Sequence, residues 1–252
     1  MTRVSAKHFY EHRYYKRHQE SAQRSARAVL GAVVELLEPR SVIDVGCGNG
    51  PWAAVARELG VPRVVGVDGQ WVNGADLMIP REDFLVRDLT RPLDVDENFD
   101  LVLCLEVAAD LQREWAGGFV GELTRLSSCV VFSSGSATQT HKPHRNRQPQ
   151  SYWRELFAKY RYEPIDLIRA RFWDDPDVGP WYRQNAVLFA SRDRLSTTSA
   201  LRELQERYQV IPADIYHPEM LPPSLEQIGV MPLLRRLPQA GWAAIRRRAV
   251  RS

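Results

Sequence analysis

Apolar residues fall along this chain in two rhythms. From Ser21 to Leu37 the positions Ala26, Val29, Leu30, Val33, Val34 and Leu37 recur at helical spacing, which predicts a core-facing helix. Short apolar runs follow: Val42–Val45, Val64–Asp68 (VVGVD), Phe84–Leu89 (FLVRDL), Phe99–Glu106 (FDLVLCLE) and Cys129–Ser134 (CVVFSS). The fourth is almost continuously apolar, as a parallel strand covered on both faces should be. Helical patterns separate the runs at Trp52–Leu59 and Arg113–Leu126, and another spans Gln150–Tyr160. Glu163–Ile168 and Ala186–Ser191 (AVLFAS) supply two last strands, and Arg194–Tyr208 a last helix. The alternation predicts an α/β fold: a doubly wound, mostly parallel seven-stranded sheet with helices on both faces.

The first strand ends at three glycines, Gly46, Gly48 and Gly50. Strand, glycine turn and helix open a nucleotide-binding unit, because the turn needs unusual backbone angles and lets a ligand approach the main chain. Ligands of such sheets lie at the carboxyl ends of the strands. That rule gathers Asp44–Gly50, Asp68, Asp88 and Glu106 onto one surface. Two nucleotides compete for it. A dinucleotide site calls for G-x-G-x-x-G, but here the glycines read G-x-G-x-G and Pro51 stands at the third glycine position. Asp68 suits either ligand, since an adenosine ribose offers two adjacent hydroxyls to a carboxylate. Asp88, with the backbone at Leu89, closes strand three where an adenine amino group would lie. Asp44 repels phosphate but can meet an ammonium and a sulfonium through water or a turn amide. That combination describes S-adenosylmethionine.

D-V-G-C-G-N-G, V-V-G-V-D and F-D-L-V-L-C-L-E together resemble the class I S-adenosylmethionine-dependent methyltransferases, over Ser41–Ser134. The resemblance implies a Rossmann-like methyltransferase fold with S-adenosyl-L-methionine as cofactor. It implies that Asp44, Gly46, Gly48 and Asn49 hold the methionine moiety, Asp68 the ribose, and Asp88 with Leu89 the adenine. Cys47, Gly69 and Leu105 complete the expected cofactor set. A narrower resemblance is to small bacterial members that read S-L-E-V-A-E-H-L after strand four, then H-x-N-E-Q, S-Y-W, W-x-D and W-Y-x-Q-N. This chain has Glu106-Val107-Ala108-Ala109-Asp110-Leu111, then His144, Asn146 and Gln148, Ser151-Tyr152-Trp153, Trp173-Asp174-Asp175 and Trp181-Tyr182-Arg183-Gln184-Asn185. Ala109 and Asp110 replace the acid and histidine, and Arg147 replaces the acid after the asparagine.

Methyl transfer from a sulfonium is an in-line displacement for which proximity and alignment supply most of the rate. A base is needed when the nucleophile carries a proton. The candidates are His144, His141, Glu106 and Asp110. His144 stands first, because an imidazole titrates near neutrality and His144, Asn146 and Gln148 alternate along one side of an extended loop. A solvated surface loop is the alternative, and Glu106 can instead contact the cofactor or a loop amide. Two histidines three apart without a clear third ligand do not make a metal site, and none is expected.

Charge refines the partner classes. The chain carries +3 overall, but six arginines and no acid follow Glu226; without that tail 28 basic residues face 31 acidic ones. The body is therefore not a polyanion binder, and no nucleic acid is expected. An RNA substrate would need the tail. The aromatic and imidazole-rich start, residues 1–19, forms either a flap over the site or a first helix packed on the body. Three regions result: a helical cap at 1–38, a cofactor-binding domain at 39–192, and an extension at 193–252 with a basic amphipathic tail. That tail can dock a partner chain, touch an anionic membrane or simply pack. No apolar run is long enough to cross a bilayer, no signal-peptide segment is seen, and three cysteines in strands or the turn read as reduced thiols. A cytoplasmic enzyme follows, a homodimer being compatible. The expected activity is O-methylation of a small molecule, in specialised metabolism or sugar modification. The alternatives are an enzyme that cyclises or cleaves its own cofactor and a non-catalytic nucleotide-binding scaffold.

Overall fold

The computed structural model describes residues 12–136 and 145–221, with side chains from residue 19 onward. The N-terminal histidines, His141, His144 and the arginine-rich tail lie outside the described side chains. Helix α1 (His12–Leu37) leads into β1 (Ser41–Val45), α2 (Pro51–Glu58), β2 (Arg63–Asp68), β3 (Phe84–Val86) and β4 (Leu101–Leu105). Then come α3 (Ala116–Leu126), β5 (Cys129–Ser133), α4 (Gln150–Lys159), β6 (Tyr162–Ile165), α5 (Leu167–Phe172), α6 (Pro180–Asn185), β7 (Val187–Ser191), α7 (Arg192–Thr197) and α8 (Ser199–Tyr208).

The strands form one seven-stranded sheet in the order β3-β2-β1-β4-β5-β7-β6. Neighbours from β3 to β5 pair in parallel, and β7 runs antiparallel to both β5 and β6. The expected α/β sheet is therefore present, with one reversed strand that an apolar run such as AVLFAS cannot reveal, because it reads alike in either direction. Side chains alternate across the pleat and divide the core in two. Val42, Leu101, Leu103 and Val131 pack against Val29, Leu30 and Val33 of α1, the apolar side of α2, and residues of α5 to α8. Ile43, Val45, Val102, Cys104, Val130 and Phe132 pack against α3 and α4, through Phe119, Leu123, Trp153 and Phe157. Helix α1 is joined to the far half of the chain, since the buried Ser25 hydroxyl accepts from Gly179 N at 3.0 Å.

Three expected elements differ. The strand expected over Glu163–Ile168 ends at Ile165, and Leu167–Phe172 is helical instead. Asp166 lies between them, with the Arg169 guanidinium on its carboxylate (Nε to Oδ1, 2.5 Å). Pro164 lies on β6, at the edge of the sheet, where a missing N–H is tolerated. The helix expected over Arg113–Leu126 opens as a 3₁₀ turn, Arg113–Trp115, before α3. The one expected over Arg194–Tyr208 divides at Thr198, whose extended backbone (φ −127°, ψ 98°) interrupts it. Residues 211–221 then cross back over α4 to α6. Ser151 Oγ donates to Asp214, Arg169 donates to the Pro212 and Ala213 carbonyls, and Arg183 pairs with Glu219 at 3.0 Å.

All three cysteines are buried free thiols. Burial pushes the Cys47 and Cys104 thiols well up, so they behave as small apolar side chains. Among the described residues no helix is long and apolar enough to cross a membrane.

Candidate active site

The turn after β1 is hooked onto β2. Gly46 N and Cys47 N both donate to the Val67 carbonyl, at 2.7 and 3.1 Å, and Gly50 N closes back on the Cys47 carbonyl at 2.9 Å. Gly46 adopts φ +81°, and a Cβ there would lie 2.3 Å from Val107 Cγ2. Left-handed backbone and close approach both demand glycine at that point. Pro51 stands at the first turn of α2, where a missing N–H costs nothing. Gly46→Ala is expected to lose roughly 1–2 kcal/mol from backbone strain alone and to displace Val107. Thermal unfolding should show a midpoint lower by several degrees.

Two acids converge behind this turn. Asp44 is 2% exposed, accepts from Ala53 N, and keeps its Oδ2 without a hydrogen-bond partner among the described residues. Burial, reinforced by the nearby Asp68 charge, pushes its carboxyl up to about 8. Asp68, equally enclosed at the end of β2, accepts Gly48 N on Oδ2 and Gly69 N on Oδ1, both at 2.6 Å. Burial also raises its carboxyl, to about 6, against the pull of those two amides and the Trp71 side chain. Asp110, on the 3₁₀ turn Ala108–Asp110 beyond β4, is near enough to push the Asp68 carboxyl higher still.

Glu106 follows β4 with φ +59°, a left-handed conformation that a glutamate rarely adopts. Ser133 holds it there, through both its carbonyl and its hydroxyl on Glu106 N at 3.0 Å. The carboxylate accepts from Asn185 Nδ2 at 3.3 Å. Asn185 is fixed in turn by Gln184 Nε2 on its side-chain oxygen (2.9 Å) and Gln150 Nε2 on its carbonyl (2.6 Å). Gln184 and Asn185 thus explain why a W-Y-x-Q-N motif lies far from the glycine turn in sequence: α6 returns it to the carboxyl end of β4. The loop after β5 returns to the same place, where Arg145 N and Asn146 N both donate to the Ala109 carbonyl at 2.9 Å.

The remaining expected positions divide. Asn49 is buried in the turn, and Leu105 packs toward the α2 side of the core. Asp88 lies two residues past β3 with a half-exposed side chain; its Oδ1 accepts Thr90 N (3.0 Å) and Thr90 Oγ1 (2.7 Å), which hold its carboxyl low. Leu89 turns into the core instead. His141 and His144 lie outside the described residues, so the structure gathers Glu106 and Asp110, with Asn146 and Gln148 close by, and leaves the histidines unplaced. His217, by contrast, is enclosed by its own bonds: its N–H donates to Gln184 Oε1, and Nε2 meets the Trp173 carbonyl at 3.0 Å. Burial lowers its imidazole pKa, and its role is structural. Trp71, which sequence reasoning passed over, stands against Asp68; an aromatic residue three positions past a strand-end acid was the available signal. A groove of about 440 Å³ opens at the opposite, amino-terminal rim, but its Arg125, Arg161 and Arg192 are engaged by Glu122, Asp193 and Glu163.

The profile of a methyltransferase-domain family matches residues 15–172. The chain belongs to that family. This places it among the class I S-adenosylmethionine-dependent methyltransferases that its motifs resemble. Among curated relatives of this chain, ribosomal protein L11 methyltransferase of Thermotoga maritima is 29% identical over 143 residues, 54% of this chain and 52% of the relative. The chain spans about half the length of the curated relatives it matches. Similar solved structures include magnesium protoporphyrin IX methyltransferase from Synechocystis with bound S-adenosylmethionine (17% identity, 68% of this chain and 80% of that one, TM-score 0.49). The methyltransferase domain of bacterial CtHen1-C is 18% identical over 68% of this chain and 98% of that one, with a TM-score of 0.49.

The residues at this rim fit S-adenosylmethionine. A buried carboxylate oxygen without a partner, at Asp44, is a receptor for a cationic group. The enclosed Asp68 carboxylate is an acceptor for hydroxyls.

Proposed function

We propose that this chain transfers a methyl group from S-adenosylmethionine to an oxygen of a small hydroxylated molecule, in sugar modification or specialised metabolism. When bound, the cofactor supplies an electrophilic methyl on a sulfonium. Asp44, Gly46, Gly48 and Asn49 hold its amino-acid end, Asp68 its ribose, and Asp88 with Leu89 its adenine. Residues 39–192 carry this site, with 1–38 and 193–252 flanking it. Glu106, Asp110, His144 and His141 are the candidates to accept the proton that an acceptor hydroxyl loses.

One observation carries the choice of acceptor. Ser134 Oγ and Asn146 Nδ2, each on a residue only 1% exposed, have no hydrogen-bond partner among the described residues. Ser134 directly follows β5, and Asn146 is tied to Ala109, so both belong to the rim that holds Glu106. A buried polar group left unsatisfied costs about 1–3 kcal/mol, and an acceptor with hydroxyl groups would satisfy both atoms. The acids of this rim disfavour a phosphate-rich acceptor such as RNA.

Incubation with methyl-labelled cofactor and a cell extract divided by molecular size tests the reading. Label in the small-molecule fraction, as methyl ethers, is the expected result. Label in protein, the acceptor class named for the curated relatives, or in RNA would overturn it. Methylthioadenosine released without any acceptor would favour cofactor cleavage instead. With the acceptor in hand, Ser134→Ala and Asn146→Ala should each lower kcat/KM by about tenfold, while affinity for S-adenosylhomocysteine stays constant in calorimetry.

A further inference from the structure

Glu106 ends a chain of three hydrogen bonds whose direction is fixed at the far end, on residues 211–221. A backbone N–H can only donate, so the end of the Gln184 amide that His217 N meets at 2.8 Å is its oxygen. The amino end of Gln184 is thereby turned to Asn185 Oδ1 at 2.9 Å, and also reaches Ser136 Oγ at 2.8 Å. Asn185 in turn presents its own amino end to Glu106 Oε1 at 3.3 Å. Gln184, Asn185, Ser136 and His217 are all buried, which keeps water from competing for these bonds. The strap that supplies the first donor is pinned on both sides of His217. Asp214 takes Ser151 N and Oγ, Glu219 pairs with Arg183, and His217 Nε2 meets the Trp173 carbonyl.

We infer that Gln184 is a positioning residue for Glu106. Its orientation, set by the strap backbone, keeps the Asn185 amino group on Oε1 and so holds that oxygen as an acceptor at the carboxyl end of β4. Gln184 acts through Asn185, and the polarity of each bond favours that of the next. Reversing either amide would set like ends against each other at two joints. The segment 211–221 therefore belongs to the site functionally, although its side chains lie behind α6. The wiring stands on the chain's own bonds; its use, aiming Glu106 at an acceptor hydroxyl, rests on the proposed reaction.

Gln184→Glu inverts the chain. The introduced carboxylate can still accept from His217 N, but it sets an oxygen against Asn185 Oδ1. Whichever way Asn185 turns, its oxygen then faces a carboxylate, and one of the two carboxyls must carry a proton. Adding Glu106→Gln completes the chain in the opposite direction and removes that need. Carbon NMR of the full chain at neutral pH, with glutamate labelled at the carboxyl carbon, reads the proton directly. The expected result is one protonated glutamate carboxyl gained by Gln184→Glu over wild type and lost again in the double variant. The thermal midpoint should fall by about 5 °C and return to within about 2 °C of Glu106→Gln alone. No protonated carboxyl in the single variant would overturn the inference, as would one that persists in the double variant through burial alone. Should Gln184→Glu fail to fold, the double variant is expected to fold, and its failure would overturn the inference equally. Gln184→Met should slow label transfer to the small-molecule fraction about tenfold at unchanged affinity for S-adenosylhomocysteine; an unchanged rate would overturn the positioning role. Absence of that label with wild type would count against the proposed acceptor and leave the carbon spectra to decide the wiring.

Discussion

Asp68→Ala should weaken S-adenosylhomocysteine binding by about a hundredfold or more. Each charge-assisted hydrogen bond to the ribose contributes roughly 1.5–3 kcal/mol, and the variant loses two. It also leaves Gly48 N and Gly69 N without their acceptor, so the turn that receives the ligand loses the bolt between its first and second strands. Asp68→Asn separates the two effects, since one amide oxygen can still take a single turn N–H. Calorimetry would place Asp68→Asn between wild type and Asp68→Ala. Binding by Asp68→Ala within a factor of ten of wild type would remove Asp68 from the site.

Cofactor affinity should fall as pH drops below about 8, by up to tenfold per unit. At pH 7 the Asp44 carboxyl, pushed to about 8, is largely protonated before a ligand arrives. A cationic group meeting its partnerless oxygen favours the carboxylate, so binding releases a proton. Calorimetry in buffers of different ionisation enthalpy would count that proton, and Asp44→Asn would abolish it. The stability of the unliganded fold has the opposite sign. Asp44 and Asp68 both titrate above their unfolded value of 3.8. The unfolded chain thus ionises first, and stability declines as pH rises from about 4 through 6 and 8. The slope is about 1.4 kcal/mol per unit for each such group, between its unfolded and folded pKa. Below pH 4 Asp88 and Glu122 act the other way, because their folded carboxyls are held low and their contribution is lost on protonation. Thermal unfolding of the unliganded protein should therefore be highest in mildly acid solution, and added S-adenosylhomocysteine should move the optimum upward.

Much of this arrangement is legible in the sequence because it depends on local patterns. An apolar run ending in glycines marks β1 and its turn, and the acids at strand ends fall on one rim by the geometry of the sheet alone. What was not legible depends on distant partners. The reversal of β7 is set by its neighbours, since its apolar residues suit either direction. The helix over Leu167–Phe172 replaces the tail of an expected strand because Arg169 reaches Asp166 and the carbonyls of Pro212 and Ala213, more than forty residues away. Asn185 contacts Glu106 across 79 positions, so the motif was visible and its purpose was not. From the sequence Asp88 reads as the end of β3, but the strand stops at Val86 and Thr90 draws the acid into a turn.

The face of the sheet that carries α1 has a consequence for how the protein is made. Val29, Leu30 and Val33 share their core with Leu195 and Leu201, and Ser25 binds the backbone at Gly179. A ribosome must therefore release the chain as far as Leu201 before the first helix can find all of its final neighbours. Until then its oily stripe stays open to solvent beside a half-built sheet, the kind of surface that chaperones cover during synthesis.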